Sequence, residues 1–192
     1  MEGIRPINRR LYVTLLHYPV YNKSGDVVTT AITNLDLHDI ARVSKTFGVA
    51  GYYVINPQPA QRELAGRILS HWTDGWGSTY NPNRREAFES VSVVADMGEA
   101  VSGIEALQGE KPKIIATAAK GAKNAIGYAD AREMMEAGGV YLLVFGTGWG
   151  LTTEFLEGCD HTLKPVEGVE GYNHLPVRSA VSIILDRLLG LR

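Results

Sequence analysis

Cysteine is almost absent. The single residue, Cys159, excludes an internal disulfide, and no group of Cys and His carries metal-ligand spacing, so the expectation is a cytoplasmic protein that holds no structural zinc or other metal. Long apolar runs are missing too. Without an N-terminal apolar signal region or an apolar span of about 18 residues, no membrane partner is expected. Nor does charge of either sign dominate: 19 Lys and Arg stand against 21 Asp and Glu, a net charge of −2. Indiscriminate nucleic-acid binding depends on Lys and Arg neutralising phosphates, which this balance disfavours; recognition of a particular RNA stays open. Two phosphate-binding signatures are absent as well. FGTGWGL, residues 145–151, has no Gly-Lys-Ser/Thr after it and is no Walker-type loop. It also misses the dinucleotide fingerprint, because its third glycine comes one residue early and only about forty residues remain for a second βαβ unit.

What is present is an ordinary globular composition, 45% hydrophobic and 21% charged, which suits one domain of about 150–200 residues. Its last fifty residues organise the rest. VYLLVF, residues 140–145, is apolar without alternation, the pattern of a strand buried on both faces in a parallel sheet covered by helices. Gly146, Gly148 and Gly150 follow at every second position. Such a loop turns sharply and lets main-chain N–H and C=O groups contact a small molecule directly.

Elsewhere strands alternate with helices. LYVTLL (11–16) reads as a strand, and HYPVYNKSGDVVTT as a short hairpin or a mobile loop. Thr33 or Asn34 can cap a helix running to Phe47, with Leu37, Ile40, Ala41, Ser44 and Phe47 on one face and Gly48 as its stop. GYYVINP (51–57) is a second buried strand. A helix over 59–72 follows, with Leu64, Ile68 and Leu69 apolar. HWTDGWGSTYNPNRRE then reads as a surface insertion or as a substrate loop offering Trp72, Trp76 and Tyr80 for stacking and Arg84 and Arg85 for phosphates. VSVVAD (91–96) and PKIIATAA (112–119) are further strands around the helix MGEAVSGIEALQG. Another helix covers about 128–137, and a terminal helix begins after YNHLP. The alternation implies an α/β fold, a mostly parallel sheet with helices on both faces, whose ligand loops lie past Pro57, Ala116 and Phe145.

Three separated pieces resemble the SPOUT class of S-adenosylmethionine (SAM)-dependent RNA methyltransferases. NLDLHDIARVSKTFGVAGYYVINP (34–57) is similar to the SpoU-type motif in spacing Arg42 six residues before Gly48, with Asp36 in the place of the motif's Asn and Asn34 two residues earlier. LLVFGTGWGLTTEFLEGCD (142–160) is similar to the strand and glycine loop that hold the cofactor, without the glutamate of the SpoU loop and one residue shorter. HTLKPVEGVEGYNHLPVRSAVSIILDRLL (161–189) resembles the segment that completes a knot, with His174 where SpoU enzymes have Asn and Pro176 where they have Ser. These departures count against carrying over ribose 2′-O chemistry. With HYPVYNK, the pieces look closest to a bacterial family similar to the catalytic domain of tRNA (guanine-N1)-methyltransferase.

The resemblance implies one SPOUT domain over 1–192, its core about 11–190, threaded C-terminally into a deep trefoil knot and with no RNA-binding domain appended. It implies SAM as cofactor, tRNA or rRNA as substrate, and a homodimer to which the broad apolar stripe of the terminal helix contributes. The cofactor would be gripped by Thr117 and Ala118, by Phe145, Gly146, Thr147, Gly148, Trp149, Gly150 and Leu151, and by Leu163, Pro165, Tyr172, Asn173, His174, Leu175, Val177 and Arg178. Arg42 would contact the target nucleotide or activate its acceptor atom, a guanidinium being able to polarise an oxygen without losing its proton. Asp36 and Asn34 stand beside it as the remaining catalytic candidates.

Plainer readings exist for each. Leu163 and Val177 would be core in almost any α/β fold, Tyr172 can simply close a turn, and Arg42 can be a solvated helix residue. Asp36 suits a helix N-terminus electrostatically, and His174 and Arg178 can orient a methionine carboxylate or only cap and pair locally. A SAM-binding module without catalysis, acting with a partner protein, is the alternative function.

Overall fold

Every residue from Leu11 to Leu16 is buried, the condition of a strand with neighbours on both edges and helices over both faces. This strand is β1 of a computed structural model that describes residues 10–122 and 125–190. There follow β2 (Val20–Tyr21), β3 (Val27–Val28), α1 (Asn34–Thr46), β4 (Gly51–Ile55), α2 (Pro59–Thr73), α3 (Trp76–Tyr80), α4 (Pro82–Phe88), β5 (Val91–Val94) and α5 (Met97–Gln108). The second half holds β6 (Lys113–Thr117), β7 (Ala125–Ile126), α6 (Tyr128–Glu136), β8 (Tyr141–Gly146), α7 (Thr153–Glu157), β9 (His161–Leu163) and α8 (Val177–Leu189). Leu191 and Arg192, the end of the expected terminal helix, lie outside the described residues.

Seven strands form one parallel sheet in the order β5-β4-β1-β8-β6-β9-β7. Alternate residues of β1 face opposite ways and split the core. Leu11, Val13 and Leu15 pack with Leu37 and Ile40 of α1, Phe88 of α4, Met135 of α6 and Val181 and Leu185 of α8. Tyr12 and Leu16 face Ala100 and Ile104 of α5 and Phe155 of α7. Local signals agree with these elements: Thr33 Oγ1 accepts from the Asp36 N–H to cap α1, and Gly48 at φ +69° ends it.

The connections decide where a ligand can enter. The chain leaves β1 for α1 on one face and leaves β8 for α7 on the other, and β6, on the far side of β8, leads to α6 on the first face. Strand β8 is therefore flanked by two crevices at its carboxyl end, the position where open α/β sheets take ligands.

Three expectations need amendment. Residues 71–86 are no irregular insertion: Asn81 caps α4 by accepting from the Arg84 N–H, and α3 and α4 fold over α1 and α2. Leu64 is 43% exposed, and Ala65 supplies the buried position of α2. The short elements β7, β9 and α7 carry too few residues for a periodic signal. The segment after β1 is the hairpin β2–β3, with Val20 opposite Val28. Among the described residues no helix is long and apolar enough to cross a membrane, and no group of His, Cys, Asp and Glu could hold a metal.

Leu185 is fully buried beneath the sheet. Leu185→Ala is expected to cost about 2–5 kcal/mol in urea unfolding, whereas Leu107→Ala, on the 72% exposed Leu107, should stay within about 0.5 kcal/mol.

Candidate functional site

The glycine loop is shaped by the hairpin. The Trp149 N–H donates to the Tyr21 carbonyl (2.8 Å) and the Tyr21 N–H to the Gly150 carbonyl (2.9 Å), so Tyr21 pairs with the loop as a strand would. Gly148 has φ +57°, and a Cβ there would stand 2.8 Å from the Tyr21 oxygen. At Gly146 a Cβ would meet the Leu151 backbone nitrogen at 2.9 Å. Each is a place where only glycine fits. The crevice between β1 and β8 is thus filled by the chain itself, and Trp149, 60% exposed, is turned outward at its rim.

The crevice between β8 and β6 is differently built. Thr117 ends β6 with its hydroxyl donating to the Val144 carbonyl (2.9 Å), and Ala118 follows half-buried. The C-terminal segment crosses here: Asn173 Nδ2 donates to the Ala119 carbonyl (2.6 Å), and a side chain at Gly121 would meet the Pro165 ring. This segment turns tightly, since the Tyr172 carbonyl lies where a Cβ of Gly168 would be. Tyr172 (72%) and Leu175 (41%) are exposed, and the His174 ring meets Tyr172 edge-on at 5.5 Å. The loop after β6 and the C-terminal segment therefore meet beside the end of β8. Phe145, Leu151 and Leu163 are buried in the core and Val177 packs half-buried against it, so these four support the walls. Thr147 and Gly150 are half-buried within the loop.

The substrate-side candidates sit on α1 against the start of α8. Arg42 is exposed and lines a cleft of about 540 Å³ with Asp39, Val43, Thr46, Pro176 and Ser182. Arg178, in the same cleft, pairs with Asp39 (Nη1 to Oδ2, 3.0 Å) and with Asp36 (Nε to Oδ1, 3.4 Å). The other Asp36 oxygen accepts from the Thr33 hydroxyl (2.6 Å). Asp36 and Arg178 thus join two helices, and Asn34 is exposed at the first position of α1. Of the residues at 71–85, Trp72 is covered by the Arg84 guanidinium at 4.4 Å and by His38, while Trp76 and Tyr80 stack at 4.7 Å on the surface, each 69% exposed.

Residues 10–190 match a family model for SAM-dependent RNA methyltransferases. The chain belongs to this family. It is 50% identical over 182 residues to a tRNA (guanine-N(1)-)-methyltransferase of Nitratidesulfovibrio vulgaris, covering 95% of this chain and 42% of that one. It is 37% identical to an uncharacterized protein of Aquifex aeolicus, covering 95% and 89%. The chain therefore spans about two-fifths of the length of the named relative. Among solved structures, the TrmH/SpoU tRNA modifying enzyme of A. aeolicus superposes with a TM-score of 0.54 at 16% identity, over 94% of this chain and 74% of that one, which shows the fold.

One part of this chain's fold went unread in the sequence. His17, at the end of β1, is fully buried and Nδ1 lies 3.0 Å from Thr30 Oγ1, which bonds in turn to Thr147 Oγ1. Asn56 Nδ2 donates to the Thr30 carbonyl (3.0 Å). The available signal was a polar residue directly after a mostly apolar strand. Burial pushes the His17 imidazole down from 6.5 to about 4, opposed by the Asp36 carboxylate.

Two measurements check this geometry. Gly148→Ala combines a left-handed backbone with a steric clash and is expected to cost about 1–3 kcal/mol in urea unfolding. Because the folded His17 titrates below the unfolded one, its stability is whole above pH 6.5 and is lost as pH falls toward 4. Wild type should then lose about 3 kcal/mol more over that range than His17→Asn, read as unfolding free energy against pH.

Proposed function

We propose that this chain methylates tRNA from SAM, with the cofactor in the crevice between β8 and β6 and the target nucleotide at the Arg42 cleft of a second copy. The observation that supports this best is the meeting of the loop after β6 with the C-terminal segment beside the end of β8, where Tyr172, His174 and Leu175 are exposed. A nucleoside with a thioether-like tail suits such a lining, which offers main-chain groups and rings rather than the cation fork a triphosphate needs. Bound SAM supplies an activated methyl group. The chain's part is to hold the acceptor in line with it and to take up a proton where the acceptor carries one.

Arg42 is assigned to the RNA because its exposed guanidinium faces open space while the neighbouring Arg178 is spent on Asp36 and Asp39. Asp36 is assigned the anchoring of α8, both its oxygens being engaged, and Asn34 the edge of the same cleft. The homodimer belongs to the same reading: a second copy brings its Arg42 cleft to the cofactor crevice of the first. The contact of Asn173 with Ala119 supports the trefoil knot, since it lays the C-terminal segment across the loop after β6. Substrate class follows the names of relatives of which this chain matches a part, so ribosomal RNA is the competing outcome.

Labelled SAM incubated with the protein and total RNA from a strain lacking the gene should label a tRNA. Arg42→Ala should lower the rate on the order of 10²-fold while leaving SAM affinity within about threefold. Transfer by Arg42→Ala at the wild-type rate removes Arg42 from the substrate side, label confined to ribosomal RNA removes tRNA, and no affinity of the folded wild type for SAM removes the proposal.

A further inference from the structure

We infer that His17 is a positioning residue for cofactor binding, holding the glycine loop through Thr30 and Thr147 by a hydrogen-bond chain of fixed direction; the inference rests on the cofactor lying at that loop. The direction follows from counting protons. The Thr147 hydroxyl donates to the Leu16 carbonyl (3.2 Å), which spends its one proton. The contact between the two threonine hydroxyls must then be donated by Thr30, which spends that proton as well. Thr30 Oγ1 can only accept from His17, so His17 Nδ1 carries the hydrogen. Neutral in its buried setting, the ring leaves Nε2 a bare acceptor, and among the described residues this atom is buried without a partner.

An unpartnered buried acceptor is a cost that an apolar side chain would avoid. The donor at Nδ1 is what an apolar side chain could not supply. Thr30, which receives it, is fixed at every polar atom: its N–H donates to the His17 carbonyl (3.0 Å), its carbonyl accepts from Asn56, and its hydroxyl is shared between His17 and Thr147. His17 itself is held by its N–H donating to the Ile55 carbonyl (3.0 Å). Thr147 thus hangs from a post built on β1 and β4, and the loop enters binding already ordered. Losing such preorganisation weakens binding of substrate and transition state alike, which raises KM and spares kcat.

The test uses the whole chain and S-adenosylhomocysteine, the demethylated product, by calorimetry. An Asn amide nitrogen stands as many bonds from the backbone as Nδ1, and a Gln amide as many as Nε2. His17→Asn should therefore bind within about threefold of wild type, while His17→Gln and Thr30→Val weaken binding about tenfold or more. Their KM for SAM should rise by the same factor with kcat within about twofold, and the double variant should be no weaker than either single one. Equal affinity in all variants, or wild-type affinity in His17→Gln with loss in His17→Asn, overturns the inference. A lowered Tm with unchanged KM also overturns it, by reducing His17 to a packing role. Should either variant fail to fold, Thr147→Ser against Thr147→Val decides the same point, since only Ser keeps the hydroxyl. No binding by folded wild type fails the cofactor reading itself, and this inference with it.

Discussion

Two main-chain bonds between Tyr21 and the turn after β8 decide what the carboxyl edge of this sheet can be. A doubly covered parallel sheet offers a ligand the gap beside a strand whose neighbours connect on the opposite face, and β8 has such a gap on each side. The hairpin β2–β3 fills one of them with its own backbone. The gap left open lies one strand over, on the side where β6 ends in Thr117 and where the C-terminal segment crosses. The glycines, whose spacing in the sequence suggests main-chain contacts to a small molecule, thus serve first to admit Tyr21. Trp149 N–H and the Gly150 carbonyl are committed within the chain.

Charge at the junction of α1 and α8 follows similar logic. Arg178 is about one-third exposed and paired with two carboxylates, a setting in which an ion pair contributes little stability. Its effect is geometric: it ties the N-terminal turn of α8 to that of α1 and uses up both acids. Among the described residues Arg42 is the cation of the cleft for which no ion pair forms. In the functional proposal a second copy brings an Arg42 cleft to the cofactor crevice.

The sheet was largely legible in the sequence because its strands are buried on both faces and read as unbroken apolar runs. LYVTLL and GYYVI needed no alternation to be recognised, and the α1 face from Leu37 to Ser44 was given by spacing alone. Short elements were not legible. Strands β7 and β9 have two and three residues, below any period, and exist because β6 offers an edge to β9 and β9 in turn to β7. Residues 71–86 looked like a loop because of their glycines, asparagines and prolines. Yet Gly77 is buried against Trp72, and Asn81 and Pro82 serve as the cap and first turn of α4, so the same residues punctuate helices as well as loops.

The site was legible in its loops and illegible in its links. A meeting of the loop after β6 with the C-terminal segment could be expected from the pieces of a family pattern. The His17–Thr30–Thr147 chain could not, because its members are far apart in sequence and each, taken singly, is an ordinary turn or strand-end residue. Their meaning arises only when β1 and β8 become neighbours and Leu16 pairs with Gly146. That register brings the ends of the two strands together, and a buried junction of polar ends must satisfy its own hydrogen bonds. Threonine hydroxyls, able to accept one bond while donating another, pass the demand along until it reaches an imidazole whose far nitrogen is left unpaired. The orphaned acceptor at His17 is thus the residue of a balance struck for the loop, and it marks the junction of β1 and β8 as one place where this fold gives up stability to hold a conformation.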